Sequence, residues 1–452
     1  MSVDVRPSTP SGSVHCGSAR KPALCGQASR DKASPSRGPP AIVRCRASGI
    51  IGAENLCRPV VTIPTQPRRI LIVVMRRLGD VLLATALIRS VRRAWPQARL
   101  EVLVNAGSAA VLVGNPDIDR LWVQPERAGF WKSLRLAAAL WRRFDLSISA
   151  LYNDRPHLWA FIASPNRAGV VPPRDHPGAR WKRWSMDAWC ELDLDHVHAV
   201  EQYLRIADAL GIPRINEVVP PRPPANPLPV DGAAEEAPAH ETPRAAEGAN
   251  EYVVLHPSPL YRYKAWTVEG WRALTRHLID RGFDVRLTGG SAEAERALLQ
   301  AIVEGLSDDQ RAHVADLGGA LPFAALTPLI EGARLFVGPD TSVTHLAAAT
   351  GTPTVALFGP SHPIAWGPWP ARHAGTGASP WVLRAPLQQQ GNVWLIQGEA
   401  ICVPCRGEGC DKHPGSRSLC LDEMSAERVI GLVEQALARP RVSAAGAVPT
   451  ST

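Results

Sequence analysis

The chain of 452 residues is 45% hydrophobic and 20% charged, enough to bury cores in two or three domains. No apolar run approaches the roughly 20 residues that cross a bilayer as a helix, which points to a soluble or peripheral protein. The formal net charge of +8 argues only superficially for nucleic acid: residues 1–67 hold nine Lys/Arg against three Asp/Glu, so +6 lies there and +2 remains elsewhere. No nucleic-acid partner is expected.

Residues 1–67 are rich in Ser, Pro, Gly and Arg, lack a hydrophobic period and lack the apolar core of a secretory leader, so they read as a disordered basic extension. A non-native translation start or a solvated arm would account for them. Cys16, Cys25, Cys45 and Cys57 have no ligand-like spacing and receive no role. Order is expected from Arg69. Ile70–Met75 reads as a strand, Arg76–Asp80 as a turn and Val81–Trp95 as a helix stopped by Pro96. Strands follow at Leu100–Val104, Arg120–Val123, Leu146–Leu151 and Arg167–Val171, with helices near Ser108–Val113, Leu134–Arg143 and Val197–Leu210. Alternating strands and helices imply a doubly wound parallel sheet over residues 68–215.

Pro220–Asn250 contains eight prolines and no period, and residues 216–250 read as a linker. Alternation resumes over 251–438. Strands are expected at Tyr252–Leu255, Asp284–Leu287, Val314–Leu317, Leu335–Val337 and Thr354–Phe358. Helices are expected at Val268–Arg281, Ala292–Gly305, Pro322–Gly332, Val343–Thr350 and Glu423–Ala438, with a disordered tail at 439–452. Two Rossmann-like halves would face each other across a cleft at the carboxyl ends of their strands, the usual place for a ligand.

Four stretches fall at such strand ends. Asp80, in Leu78-Gly79-Asp80-Val81, reads as a general base or as a helix N-cap. The loop from His256 to Trp266 carries Ser258, Arg262 and Lys264, a set that suits phosphate oxygens or an ordinary basic surface. Gly289 and Gly290 form a turn that permits close backbone approach. Asp340, Thr341 and Ser342 open a helix whose free amides and dipole favour an anion, with His345 near the same end; a plain helix cap is the alternative.

ILIVVMRRLGDVLLATALIRSVRRAWPQARLEVLV resembles the opening of the family nine glycosyltransferases, the ADP-heptose:lipopolysaccharide heptosyltransferases. KAWTVEGWRALTRHLIDRGFDVRLTGG and LFVGPDTSVTHLAAATGTPTVALFGPSHPIAWGPW are similar to that family's second-domain motifs, and the resemblance runs over roughly residues 68 to 437. It implies an α/β fold of GT-B type, with acceptor contacts mainly in the first domain and the nucleotide sugar in the second. It also implies an inverting transfer of heptose from ADP-heptose to the lipopolysaccharide inner core, at the cytoplasmic face of the inner membrane. The family's base aspartate falls on Asp80, its phosphate-contacting lysine on Lys264, and its D-[ST]-[GS]-x-x-H diphosphate motif on Asp340, Thr341, Ser342 and His345. Of its Ser/Thr cluster before the lysine only Ser258 is present, and Ser291 or Glu293 would take the place of its nucleoside-facing glutamate. Other nucleotide sugars, or a non-catalytic nucleotide-binding protein of the same fold, are the alternatives.

No Asp-x-Asp arrangement ends a strand, so leaving-group charge would be met by Lys264 and the helix at Thr341–Ser342, with no cofactor required. Cys402, Cys405, Cys410 and Cys420, with His413 between, have the spacing of a zinc or iron–sulfur site, and a structural clip is the favoured reading. Tryptophan is unusually frequent, 14 against 7 Phe. In RWKRWSMDAW, Trp181, Trp184 and Trp189 read as core packing, a sugar platform or a motif resting on a membrane interface. Arg76, Arg77, Lys182 and Arg183 are the expected contacts to an anionic acceptor.

Overall fold

Ile70–Val73 is buried on both faces, as a central strand of a parallel sheet must be. In the computed structural model of the chain it lies inside the first of two sheets. The structure describes residues 57–58, 63–125, 129–224, 230–231 and 250–439.

The first sheet contains β1 (Cys57–Arg58), β2 (Arg69–Val73), β3 (Arg99–Asn105), β4 (Arg120–Gln124), β5 (Leu146–Ser149), β6 (Arg167–Val171), β7 (Ala188–Glu191) and β8 (Val230–Asp231). Their order is β1-β7-β6-β5-β2-β3-β4-β8, parallel throughout except for β1 against β7. Its helices are α1 (Leu78–Leu83), α2 (Thr85–Ala94), α3 (Phe130–Leu140), α4 (Asp154–Ala163), α5 (Ala179–Ser185) and α6 (Ala199–Leu210). The second sheet contains β9 (Tyr252–Leu255), β10 (Asp284–Leu287), β11 (Val314–Asp316), β12 (Leu335–Pro339), β13 (Thr354–Phe358), β14 (Leu387–Gln390) and β15 (Val393–Gln397), in the order β11-β10-β9-β12-β13-β15-β14. It carries α7 (Val268–Asp280), α8 (Glu293–Glu304), α9 (Asp308–Arg311), α10 (Leu326–Gly332), α11 (Ser342–Thr350), α12 (Pro363–Trp366), α13 (Leu419–Asp422) and α14 (Ala426–Leu437).

In each sheet the chain first winds one way and then the other. The reversal lies between β2 and β5 in the first and between β9 and β12 in the second, and ligands bind at such reversals. One hydrophobic cluster runs through both halves, joining Val81, Leu82 and Leu204 of the first to Leu329, Val343 and Leu346 of the second. Polar bonds add to it. His198 Nε2 bonds to the Gly367 carbonyl at 2.7 Å, and Trp369 Nε1 donates to the Asn216 carbonyl at 2.9 Å. Burial pushes the His198 imidazole down to about 3, so it bonds to Gly367 as a neutral ring.

Several expectations are corrected. Cys57–Arg58 and Val230–Asp231 pair as edge strands within segments read as extension and linker; two residues carry no period. The rest of 1–62, residues 225–229 and 232–249, and the tail from 440 lie outside the described residues. The helix expected from Val81 starts at Leu78 and breaks at Ala84, where Thr85 Oγ1 donates back to the Leu82 carbonyl and accepts from the Val219 amide. The sequence reading passes over α4, which buries Pro156, His157, Trp159, Ala160 and Ala163 and so shows no one-sided stripe. It also passes over the hairpin of β14 and β15, whose Gly391-Asn392 turn is a standard signal. The last helix begins at Ala426 behind a Ser425 cap and stays on the second sheet, where Glu434 bonds to His277 on α7.

Candidate active site

A cleft of about 720 Å³ opens at the carboxyl ends of β2, β9, β10 and β12. Its first wall is the loop after β2 and the start of α1. Asp80 is the third residue of α1, and Arg77 occupies the N-cap position without a side-chain cap bond, so Asp80 does not cap this helix. Asp80 is only 8% exposed and its Oδ1 has no hydrogen-bond partner among the described residues. Arg76 Nε lies 3.6 Å from that oxygen. Burial raises the Asp80 pKa, while Arg76, Arg77 and Lys264 pull it back and Asp340 adds to the rise. A buried carboxylate with a free oxygen and a raised proton affinity is equipped to accept a proton.

The opposite wall is built on β9 and β12. Lys264 Nζ donates to Asp340 Oδ2 at 2.5 Å, and Ser361 Oγ donates to the same oxygen. Burial would lower the ammonium's pKa, but Asp340 outweighs it and holds Lys264 above its ordinary value. Burial would likewise raise Asp340, but Lys264 and His345 hold it below the usual carboxylate range. His345 Nε2 lies 3.8 Å from Asp340 Oδ1. Burial pushes the imidazole down to about 4, so it is neutral near pH 7, and its Nδ1 has no partner among the described residues.

At the start of α11, Thr341 is the N-cap and its hydroxyl accepts from the Thr344 amide. The cap does not exclude an anion there: Ser342 and Val343, whose first-turn amides have no intrahelical acceptor, both line the cleft. Ser258 is buried in the same wall, and its Oγ is unpartnered among the described residues. Gly289 and Gly290 complete the floor. A Cβ on Gly289 would stand 3.1 Å from Ser258 Oγ, and one on Gly290 would meet the Glu295 carboxylate at 2.1 Å.

Arg76 and Arg77 line the cleft, with their guanidinium groups 5.8 Å from the Trp366 ring and 4.9 Å from the Tyr261 ring. Lys182 and Arg183 do not. Lys182 is 3% exposed and pairs with Asp154 at 2.9 Å, while Arg183 pairs with Glu191 at 2.6 Å, because α5 turns both back onto the sheet. Trp189 is buried in the core, whereas Trp181 and Trp184 face solvent.

The glutamate that lines the cleft is Glu295; Ser291 and Glu293 do not. Its position was legible, since Leu299 and Ile302 form the buried stripe of α8 and Glu295 stands four residues before Leu299. Arg406, within the cysteine-rich loop, also reaches the cleft, bonding to Asp195 at 2.5 Å and to His362. No sequence signal marked it. Cys402, Cys405 and Cys410 lie near enough to Cys420 to act on its charge, and burial pushes the Cys420 thiol up to about 12. Among the described residues, however, no three His, Cys, Asp or Glu side chains are arranged to hold a metal ion.

The sequence model of glycosyltransferase family 9 (heptosyltransferase) matches residues 191–384. The chain is 28% identical over 304 residues to lipopolysaccharide heptosyltransferase 3 of Escherichia coli, covering 65% of this chain and 84% of that one. It is 25% identical over 404 residues to lipopolysaccharide heptosyltransferase 1 of Pseudomonas aeruginosa, covering 82% and 99%. The fold matches E. coli ADP-heptose LPS heptosyltransferase II with a TM-score of 0.58 at 20% identity, over 82% of this chain and 98% of that one. It also matches E. coli heptosyltransferase WaaC with ADP-2-deoxy-2-fluoro heptose, with a TM-score of 0.56 at 18% identity, over 81% and 99%. The architecture is thus of the GT-B type, two parallel-sheet α/β halves facing a cleft.

Proposed function

We propose that this chain, which belongs to glycosyltransferase family 9, transfers a heptose from ADP-heptose to a hydroxyl of an inner-core sugar of lipopolysaccharide. One observation carries the reading: Asp80 Oδ1, Ser258 Oγ and His345 Nδ1 are buried polar atoms without hydrogen-bond partners among the described residues, and all three belong to residues lining one cleft. Unpaired buried polar groups cost free energy, about 1–3 kcal/mol each, which a bound ligand can offset.

Asp80 takes the proton of the acceptor hydroxyl as its oxygen attacks the anomeric carbon. The bond from that carbon to the diphosphate breaks, its electron pair leaves with ADP, and the anomeric configuration inverts. Lys264 and the Ser342 and Val343 amides meet the charge that develops on the departing diphosphate. Lys264 reaches it by exchanging Asp340 for a phosphate oxygen. These groups supply the electrostatic role without a divalent ion, so turnover is expected to survive chelator. The enzyme works at the cytoplasmic face of the inner membrane as a peripheral protein; no described helix is long and apolar enough to cross a membrane.

The test is transfer to a truncated core acceptor from ADP-heptose, compared with UDP- and GDP-sugars. ADP-heptose should be the preferred donor and the product anomerically inverted. Equal use of the three nucleotides, a retained configuration, or loss of activity in chelator restored by magnesium would each remove part of this reading.

A further inference from the structure

Residues 130–184 hold ten Lys/Arg against three Asp/Glu, a surplus of seven in a chain whose net charge is +8. Among the described residues thirteen large hydrophobic side chains are exposed, and seven of them fall in this same stretch. Cations and indoles are therefore concentrated together.

The fold gathers them on one surface. α3, α4 and α5 cover one face of the first sheet in that order, each packed on the next. Residues of α3 and α4 share a cluster with Leu71, Val73 and Trp122, apart from the cluster that holds α1, α2 and α6. Much of their outer sides is open to solvent. Trp131 is 72% exposed and Trp184 78%, with Phe130, Leu158 and Trp181 also exposed. Lys132, Arg135, Arg155 and Arg180 stand among them, all exposed. Of the three acids, Asp145 is taken by the Arg68 and Arg69 amides and Asp154 by Lys182, leaving Asp175.

Direction matters as much as composition. α3 follows β4, α4 follows β5 and α5 follows β6, so their first turns stand at the carboxyl edge of a parallel sheet. Asp80 stands at that edge too, because α1 follows β2. Phe130, Trp131 and Trp181, in those first turns, thus lie at that edge, with Leu158 and Trp184 further along their helices.

We infer that the outer face of α3, α4 and α5 is a docking surface for an anionic lipid bilayer, which it holds beside the mouth of the cleft. Indole and phenyl rings suit the boundary between headgroups and acyl chains, and flanking Lys and Arg are attracted to anionic headgroups. A patch this apolar is uncommon on a protein surface left in water. The inference rests on the transferase reading in one respect: an acceptor anchored in that bilayer would be presented to Asp80.

The full chain is sedimented with vesicles of phosphatidylethanolamine and phosphatidylglycerol, and separately with phosphatidylcholine vesicles. It should pellet with the first, release as salt is raised, and remain in solution with the second. Trp131→Ala with Trp184→Ala, and Lys132→Glu with Arg135→Glu, should each weaken partitioning about tenfold or more, at roughly a factor of five per charge. All four side chains are exposed, so both variants should fold and should transfer to a soluble truncated acceptor at the unchanged rate. Variants that pellet like the parent would place binding elsewhere, in residues 1–67 for example, and overturn the inference. So would a parent chain that pellets with neither vesicle, or a dimer dissociated by the two Trp substitutions, which would make this face a contact between copies. Vesicle binding without transfer from any nucleotide sugar keeps the docking surface and removes the enzyme reading; transfer without vesicle binding does the reverse.

Discussion

Gly79 and His345 face each other across the cleft: a methyl group on Gly79 would lie 3.4 Å from His345 Cδ2 and 3.8 Å from the Ser342 Cα. The residue beside the proton acceptor is thus a contact point with the opposite wall. Alanine fits at ordinary van der Waals distance, and glycine inside a helix is worth less than alanine by about 1 kcal/mol. Gly79→Ala should therefore fold as well as the parent and keep activity within a few fold. Gly79→Leu has no such room and should hold the walls apart, lowering kcat/KM by about 10²-fold, as small misplacements do. Melting curves and steady-state kinetics on both variants test this; equal kinetics for the two would show that closure at this point is unimportant.

Asp80 is expected to separate activity from stability. Asp80→Asn should lower kcat about 10²- to 10⁴-fold, the usual worth of a positioned base. Burial raises the Asp80 pKa, so its ionisation works against the fold as pH rises through that value. The asparagine variant should then melt higher than the parent near neutral pH, with the gap closing in acid, where the parent's carboxyl is protonated. In the parent, kcat/KM should fall on the acid side at a pH above the ordinary carboxylate range. An acid limb within that range would contradict the burial argument.

The Lys264–Asp340 pair should be strongly coupled. Lys264→Met leaves a buried carboxylate without its cation, a loss of about 3–5 kcal/mol. Adding Asp340→Asn removes the orphaned charge and should recover most of that loss in urea unfolding at neutral pH. Because the Asp340 pKa is depressed, its stabilisation is present above its unfolded value and lost as pH falls through the folded one. The coupling should fade over that acid window. Both variants should bind nucleotide poorly whatever their stability.

Ser258 offers the opposite contrast. Its hydroxyl is buried and unpartnered among the described residues, so Ser258→Ala should cost no stability in the ligand-free protein. If that oxygen meets a donor phosphate, affinity for ADP should fall about fivefold, near 1 kcal/mol. Calorimetric titration beside a melting curve distinguishes the two effects. A destabilised variant with unchanged ADP affinity would make Ser258 a packing residue.

Much was legible in the residues themselves. Buried strands such as Tyr252–Leu255 and Thr354–Phe358 are apolar almost throughout and bounded by turn residues, so local sequence marks them. The strand, turn and helix from Leu335 to Thr350 were marked in the same way, with a cap at the turn, because caps and turns are chosen by the residues that form them; that Thr341 rather than Asp340 fills it is seen in the structure. What the sequence could not decide was whatever depends on where a helix points its sides. Lys182 and Arg183 resembled a cationic platform until α5 turned them inward and left Trp181 and Trp184 outside. Glu295 replaced its neighbours at the cleft for the same reason. The state of Asp80 is likewise a tertiary property: its type and place were written in the chain, but its burial and its charged neighbours come from Arg76 and Arg77 on one wall and Lys264 and Asp340 on the other. Residue type and turn chemistry are local and can be read in order; burial and charge environment exist only once distant segments are packed together.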